Sequence, residues 1–428
     1  MVGALAAQVP DTSYYTATIR MDLTTAINYA KQHNIQVNIS RLDQRLSEQD
    51  LLLSKAARYP DLSGSASQSI SHSQHTNSQS QANIQSSYAL NSSLLIYQGG
   101  YVRNDIRAKE LQLKAADLNA DVTANDITLQ LTIAYLNILL ARENIVYIQD
   151  LLKSSQAQMD IGNIKFDKGA ISKKDLLQLQ GQLAGDQYNL VTAQNQYRQN
   201  VLTLKQLLQL PTTTNFEPVM PDNVAVEQAV PSLLNAQSLA FQNRPEIKYN
   251  QLQMQIADIE LQKARAGYKP TISAGGSVST AYSDNANDKY FTQVGNNLFE
   301  RFNVTLAVPI FNNRVTKTNV ERSKILIDQS RLVMEQTKTT LNQQVEQAYI
   351  TLLNANAQYK AAETEWKTTK EVYDISVTQL QLGAINTIDL VLQRNIYVQA
   401  LQNYIQAKYN SILNTKIYQF YMGYPISL

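Results

Sequence analysis

The stretch FNVTLAVPIF at 302–311 decides how this chain is read. Successive side chains of an extended strand point to opposite faces, so Phe302, Val304, Leu306, Val308 and Ile310 share one apolar face, while Asn303 and Thr305 take the other. A half-buried soluble strand usually turns Lys or Glu to water. Here the second face is small, polar and uncharged, which fits a strand with hydrocarbon on one side and an aqueous lumen on the other. Three more stretches share the pattern. Ile84, Tyr88, Leu90, Leu94 and Ile96 alternate with Gln85, Ser87, Asn91 and Ser93; Ile272, Ala274, Val278 and Tyr282 alternate with Ser273, Ser277 and Ser279; Leu62, Ala66 and Ile70 follow more weakly. Four strands of about 10–13 residues are expected.

Outward from these strands the chain repeats itself. Ile96-Tyr97 faces Ile310-Phe311, an offset of 214, while Tyr59-Pro60 faces Lys269-Pro270 at an offset of 210. The second half has therefore gained about four residues between those points, in a Ser-, Asn- and Asp-rich stretch. Downstream the 214 offset holds for Gly169 with Gly383, Asp175 with Asp389 and Pro211 with Pro425. Each half reads helix, two strands, long helix, turn, helix, which makes the chain a tandem duplication. The boundaries are an N-terminal segment 1–21, a first repeat 22–211, an inter-repeat segment 212–231, a second repeat 232–422 and a C-terminal segment 423–428.

Periodicity defines the helices. Ile127, Leu131, Ala134, Ile138 and Ala141 follow a 4-3-4-3 spacing, and Leu341, Val345, Ala348, Leu352 and Ala355 repeat it 214 residues on, as in a coiled-coil seam. Tyr135, Leu139 and Leu140 widen the apolar surface, so neighbours are expected on both sides. Long helices are predicted over about 101–165 and 315–381, each roughly 100 Å at 1.5 Å per residue. Shorter ones are predicted over about 22–57, 174–209, 232–266 and 388–422. The class is mixed and mainly α: long antiparallel coiled-coil helices plus four strands. Four strands cannot close a barrel, which needs about eight. Three copies would supply twelve strands, with the helices forming an α-barrel.

Composition agrees. Of 428 residues 44% are hydrophobic and only 17% charged, against roughly 25% charged in an ordinary soluble domain. The net charge of +2 argues for no nucleic-acid partner. The absence of cysteine excludes disulfides, thiolate metal sites and a lipid-modified N-terminal Cys in the sequence as given. His72 and His75 fall in a polar run read as a loop, and His33 stands alone, so no metal set is present. The N-terminus MVGALAAQVPDTSYY resembles only the end of an export signal. No run approaches the ~20 apolar residues of a membrane helix, so a membrane crossing requires a barrel. A Gly-rich phosphate loop, a Cys nucleophile and paired carboxylates beyond the turn acids are all missing, so no enzyme and no cofactor is expected.

Taken together, the duplicated plan, the Pro-led strands at Tyr59-Pro60 and Lys269-Pro270, and the strand ends LLIYQGG (94–100) and AVPIFNN (307–313) resemble the TolC family of outer-membrane efflux channels. The paired turns FDKGAISKKDL and LQLGAINTIDL belong to the same resemblance. It implies a homotrimer with a 12-stranded barrel in outer-membrane lipid and a helical tunnel across the periplasm. It also implies a periplasmic adaptor and an inner-membrane transporter as partners, and a passive exit duct for small molecules. The segment 211–231 would then pack outside the tunnel with the C-terminal segment, and Tyr97 and Phe311 would lie at the membrane interface. A type I protein secretion duct and a non-conducting coiled-coil scaffold stay open as alternatives.

Locally, Gly169 and Gly383 read as left-handed helix ends, Ser172 and Asn386 as N-caps, and Asp175 and Asp389 as capping-box acids. The resemblance places these turns at the periplasmic tips. Gly169, Ala170, Ile171, Gly383 and Ala384 would then dock the adaptor, and Asp175 and Asp389 would stand at the entrance. Where the family carries a Tyr, an Arg and a second acid, this chain has Leu380, Ile385 and Leu392, which would form an apolar constriction.

Overall fold

The computed structural model describes residues 18–73, 81–211, 213–219 and 230–426. The described chain runs β1 (Ile19–Met21), α1 (Leu23–His33), α2 (Ile35–Ala56), β2 (Asp61–Ser73), β3 (Gln81–Gln98), α3 (Tyr101–Asp167), α4 (Lys173–Leu208) and β4 (Phe216–Pro218). The second half follows with α5 (Leu233–Asn243), α6 (Pro245–Ala266), β5 (Thr271–Ser283), α7 (Tyr290–Asn296), β6 (Phe299–Ala307), α8 (Val315–Gln381) and α9 (Thr387–Tyr421). Two compact units share it: Met1–Ile39 with Asp121–Pro245 and Lys338–Leu428, and Ser40–Ala120 with Glu246–Thr337.

The first unit is mainly helical. All ten predicted seam residues on α3 and α8 are buried, from fully enclosed Leu131, Ile138 and Val345 to Ala134 at 7% exposure. One window of α3 reaches the apolarity of a membrane helix, contrary to the sequence expectation, but 61% of it is buried. Its Leu131, Leu136, Leu139 and Ile148 pack with Leu204 and Leu208 of α4 and Ile405 and Ile412 of α9. Burying apolar side chains at roughly 25 cal/mol per Å² accounts for that window without lipid.

Each predicted N-terminal helix of a repeat is in fact two. The first breaks at Asn34 and the second at Arg244, both with extended ψ. Helical periodicity runs through these points, which is why the pattern hid them. Asn34 uses its side chain as a cap, accepting from the Gln36 amide at 2.9 Å and donating to Leu207 O at 3.2 Å. Arg244 lies buried 4.4 Å from the Phe420 ring, and Pro245 begins the next helix with no amide to satisfy.

The inter-repeat segment is also partly regular. β1 and β4 pair in parallel, Ile19 with Phe216, and Tyr135 donates its hydroxyl to Val219 O beside them. Residues 220–229 lie outside the described set.

The second unit carries one antiparallel sheet of order β2-β3-β5-β6, so the two repeats join through β3 and β5. β3, at 18 residues, is longer than expected, and β6, at nine, is shorter, leaving Val308 and Ile310 beyond the strand. A bulge between Leu95 and Tyr97 sets Tyr97, not Ile96, opposite Ile272. His72 lies in β2, not a loop; His75 is outside the described residues.

The stretch in which the second half gains its residues holds α7, which stands beside β5. Gln293, 5% exposed, accepts from the Ser283 amide at 3.0 Å and donates to Ser283 O at 3.0 Å. Asn297 donates to Ala281 O at 2.9 Å. Side-chain amides thus supply the bonds a neighbouring strand would make.

Strand passes to helix through left-handed residues in both halves: Gly99 and Gly100 (φ 61° and 87°) before α3, Asn313 and Arg314 (φ 49° and 67°) before α8. A Cβ on Gly99 would come within 2.6 Å of Ala266 O, so glycine is required there by space as well as by φ.

Candidate functional site: the two interhelical turns

Each long helix ends in a Schellman turn. At the first, the Ala170 amide donates to Lys165 O at 2.8 Å and the Gly169 amide to Phe166 O at 2.8 Å, with Gly169 at φ 71°. At the second, Ala384 donates to Gln379 O at 2.9 Å and Gly383 to Leu380 O at 3.2 Å, with Gly383 at φ 75°. The two turns superimpose in kind, 214 residues apart.

The caps that follow are not equal. Ser172 Oγ accepts from the Asp175 amide at 3.2 Å, while Asp175 Oδ2 accepts from the Ser172 amide at 3.1 Å and its hydroxyl at 2.7 Å. These donors, hydroxyl first, hold the Asp175 carboxyl below the usual carboxylate range. In the second turn Asn386 Oδ1 accepts from the Asp389 amide at 3.0 Å, and no bond returns from the Asp389 side chain. Asp389 is therefore not the capping-box acid expected from sequence: with Asn at the cap, its carboxylate is left exposed.

Around the turns, Gly169, Ala170, Gly383 and Ala384 are exposed, and Ile171, Leu380 and Ile385 are half-buried. On α9, Leu392 (56% exposed) and Ile396 (44%) continue the face that carries Asp389, at i+3 and i+7. An acid followed by two exposed apolar residues is a surface that water alone does not suit. Behind it, Leu390 is buried, matching Leu176 of the first turn. Gly162 lets α4 approach α3, since a Cβ there would lie 2.6 Å from Leu179 Cδ1.

Sequence reading missed a buried polar cluster about two to four turns of helix away from these tips. Arg394 of α9 donates to Asp186 of α4 at 2.6 Å and to Ser155 Oγ of α3 at 2.9 Å, and Ser155 also donates to Asp186. All three are at most 6% exposed. Arg394 Nε has no partner, so the pair is not fully satisfied. A signal existed: Asp186 falls on the spacing Leu176, Leu179, Leu183, and Arg394 four after Leu390, so both charges occupy seam positions. The corresponding positions in the other repeat hold Thr369, Ala400 and Gln180, so the cluster occurs once per chain.

The fold thus defines a class: a duplicated chain in which coiled-coil hairpins with capped turns feed an antiparallel sheet with an apolar face. The description "Outer membrane efflux protein" matches residues 26–209 and 236–414, and the chain belongs to that family. Nodulation protein T of Rhizobium leguminosarum bv. trifolii is 22% identical over 415 residues, covering 95% of this chain and 87% of its own. Outer membrane efflux protein BepC of Brucella suis biovar 1 (strain 1330) is 20% identical over 401 residues, covering 93% and 84%. The crystal structure of CusC, described with transmembrane channel formation, superimposes with a TM-score of 0.80 at 19% identity, over 97% of this chain and 95% of its own. The protein is an outer-membrane efflux duct with a periplasmic extension.

Proposed function

We propose that three copies of this chain close into one channel: a 12-stranded barrel in the outer membrane, continued by a helical tunnel. It conducts small molecules passively, with an inner-membrane transporter and a periplasmic adaptor as partners. The observation that carries this reading is the sheet. Its outer strands, β2 and β6, each pair on one side only, and Phe302, Val304 and Leu306 are 76, 60 and 63% exposed on a single face. Such edges and such a face require both a neighbouring strand and hydrocarbon. A soluble scaffold has use for neither.

The turns supply the periplasmic mouth in this proposal. Exposed Gly169, Ala170, Gly383 and Ala384, with Ile171, offer backbone and small side chains to the adaptor. Asp389 faces the entrance and favours cations, with Asp175 nearby. Leu392, Leu380 and Ile385 form the narrow apolar ring. Single-channel recording of detergent-purified protein in planar bilayers tests this. Discrete cation-preferring steps are expected, with the preference reduced in Asp389→Ala and conductance raised in Leu392→Ser and Ile385→Ser. Absence of insertion overturns the channel, and unchanged conductance in both serine variants overturns the ring.

A further inference from the structure

The sheet end where helices begin and end bears a positive collar with more cations than acids. β2 and β5 start there and β3 and β6 finish there, as the pairs Asp61↔Ser93, Gln98↔Thr271 and Thr271↔Ala307 require. The C-terminal ends of α2 and α6 and the N-terminal ends of α3 and α8 therefore meet at that end, all within one unit.

The nearby acids are already engaged. Asp50 pairs with Lys109, Glu110 with Lys55, Glu321 with Lys324, and Asp105 and Glu260 share Lys263. Asp61 accepts from the Ser93 amide and hydroxyl. Arg58, Arg265 and Lys269 remain at the helix C-terminal ends, and Arg103, Arg314 and Lys317 at the starts. All six are exposed, and none forms an ion pair among the described residues, although Lys317 and Arg314 share the longer-range field of Glu321.

Local structure does not ask for the second three. A helix start favours acids, yet neither α3 nor α8 has one in its first turn. Arg103 and Lys317 instead occupy corresponding positions 214 apart, so the two repeats share the charge and not the side chain. Arg314 takes a left-handed φ where the first repeat has Gly100, a place glycine would fill without strain.

The surroundings point to an interface. Tyr59, Tyr97, Tyr268 and Phe311 are exposed at the same sheet end. A cavity of about 690 Å³ opens beside them, lined by Tyr101, Lys263, Lys269 and Arg322 among others. The apolar strand faces begin directly beyond. Aromatic rings next to unpaired cations, adjoining a hydrocarbon-facing sheet, match the order of chemistry across a leaflet from acyl chain to phosphate.

We propose that this collar binds the headgroups of anionic phospholipids in the inner leaflet of the outer membrane, and so fixes the depth of the barrel. The inference rests on reading the sheet as membrane-spanning. Phosphate oxygens accept from Arg103, Lys317 and Arg314, and the cavity admits one headgroup beside Lys269.

The test uses the full chain in phosphatidylcholine vesicles with and without phosphatidylglycerol, following helical circular dichroism on heating. Phosphatidylglycerol is expected to raise the midpoint of the wild type, less so at high salt. In Arg103→Gln/Lys317→Gln its half-effective content should rise roughly fivefold per removed charge. Both proteins should melt alike in phosphatidylcholine alone, which excludes a folding defect. An equal phosphatidylglycerol response in the variant overturns the collar. Reproduction of the effect by inorganic phosphate in phosphatidylcholine vesicles also overturns it, as a free-anion site. Channel recording in the same lipids separates the two readings: wild-type steps without lipid dependence sink the collar alone, whereas no insertion sinks the membrane reading.

Discussion

Gly169 and Gly383 hold left-handed φ values in open space, with nothing within 4 Å of an added Cβ. Alanine at either position therefore costs backbone strain alone, about 1 kcal/mol. Gly423 differs: its φ is 85° and an added Cβ would lie 2.5 Å from Asn243 Cβ, so Gly423→Ala is expected to cost more. Urea unfolding of the three variants ranks them. Asp175 gives a pH prediction. Its folded-state carboxyl lies below the unfolded value, so its contribution is present above the ordinary pKa of about 3.9 and is lost as pH falls through the depressed value. Amide exchange at the first turn should accelerate below that range in the wild type and be indifferent to it in Asp175→Asn. The glycines and caps were legible because turn chemistry is local. The unequal partner of Asp389 was not, because a capping box depends on which side chain faces back, and Asn386 satisfies its helix without help.

At the scale of elements, the ten seam residues were readable because helical period is a property of a single segment, and burial followed it without exception. Asp186 and Arg394 occupy seam positions of α4 and α9, where a charge interrupts the apolar pattern and so hides the position. Removing one member strands a buried charge, so Arg394→Met is expected to cost about 3–5 kcal/mol, while Arg394→Met with Asp186→Leu should recover most of it. Unfolding of both single variants and the double variant decides; a double loss equal to the sum of the two single losses would mean that the pair does not couple. The strands allow a second test. Val304→Lys puts a charge on the apolar face at a cost of about 2–4 kcal/mol at mid-bilayer, so incorporation into vesicles should fall, while Asn303→Lys on the opposite face should leave it near wild type. β1 and β4 escaped notice for a plain reason: three-residue strands show no period, and Ile19 meets Phe216 across nearly half the chain.

For the whole molecule, duplication was the most legible feature and its departures the least. The 214 offset carried turns, seams and the starts of the long helices from one half to the other, but not the strand ends. It could not show that both first helices break, at Asn34 and Arg244, because a seam continues through an extended residue whenever the next helix resumes in phase. Nor could it show that one half would contribute Asp186 and the other Arg394. These departures make the halves distinguishable to each other. Chemical cross-linking of the detergent-solubilised protein should stop at three copies; a ladder continuing past three would exclude a closed ring.

The amide of Gln293 has a geometric consequence. β6 spans nine residues and β2 thirteen, roughly 30 Å against roughly 43 Å of wall. In a ring of three copies the β2 of one chain outruns the β6 of the next, and α7 stands in the gap. The rim would be scalloped, three notches each filled by a helix. Whatever reads the channel from the cell exterior would meet a threefold outline, although the chain that builds it is written twice.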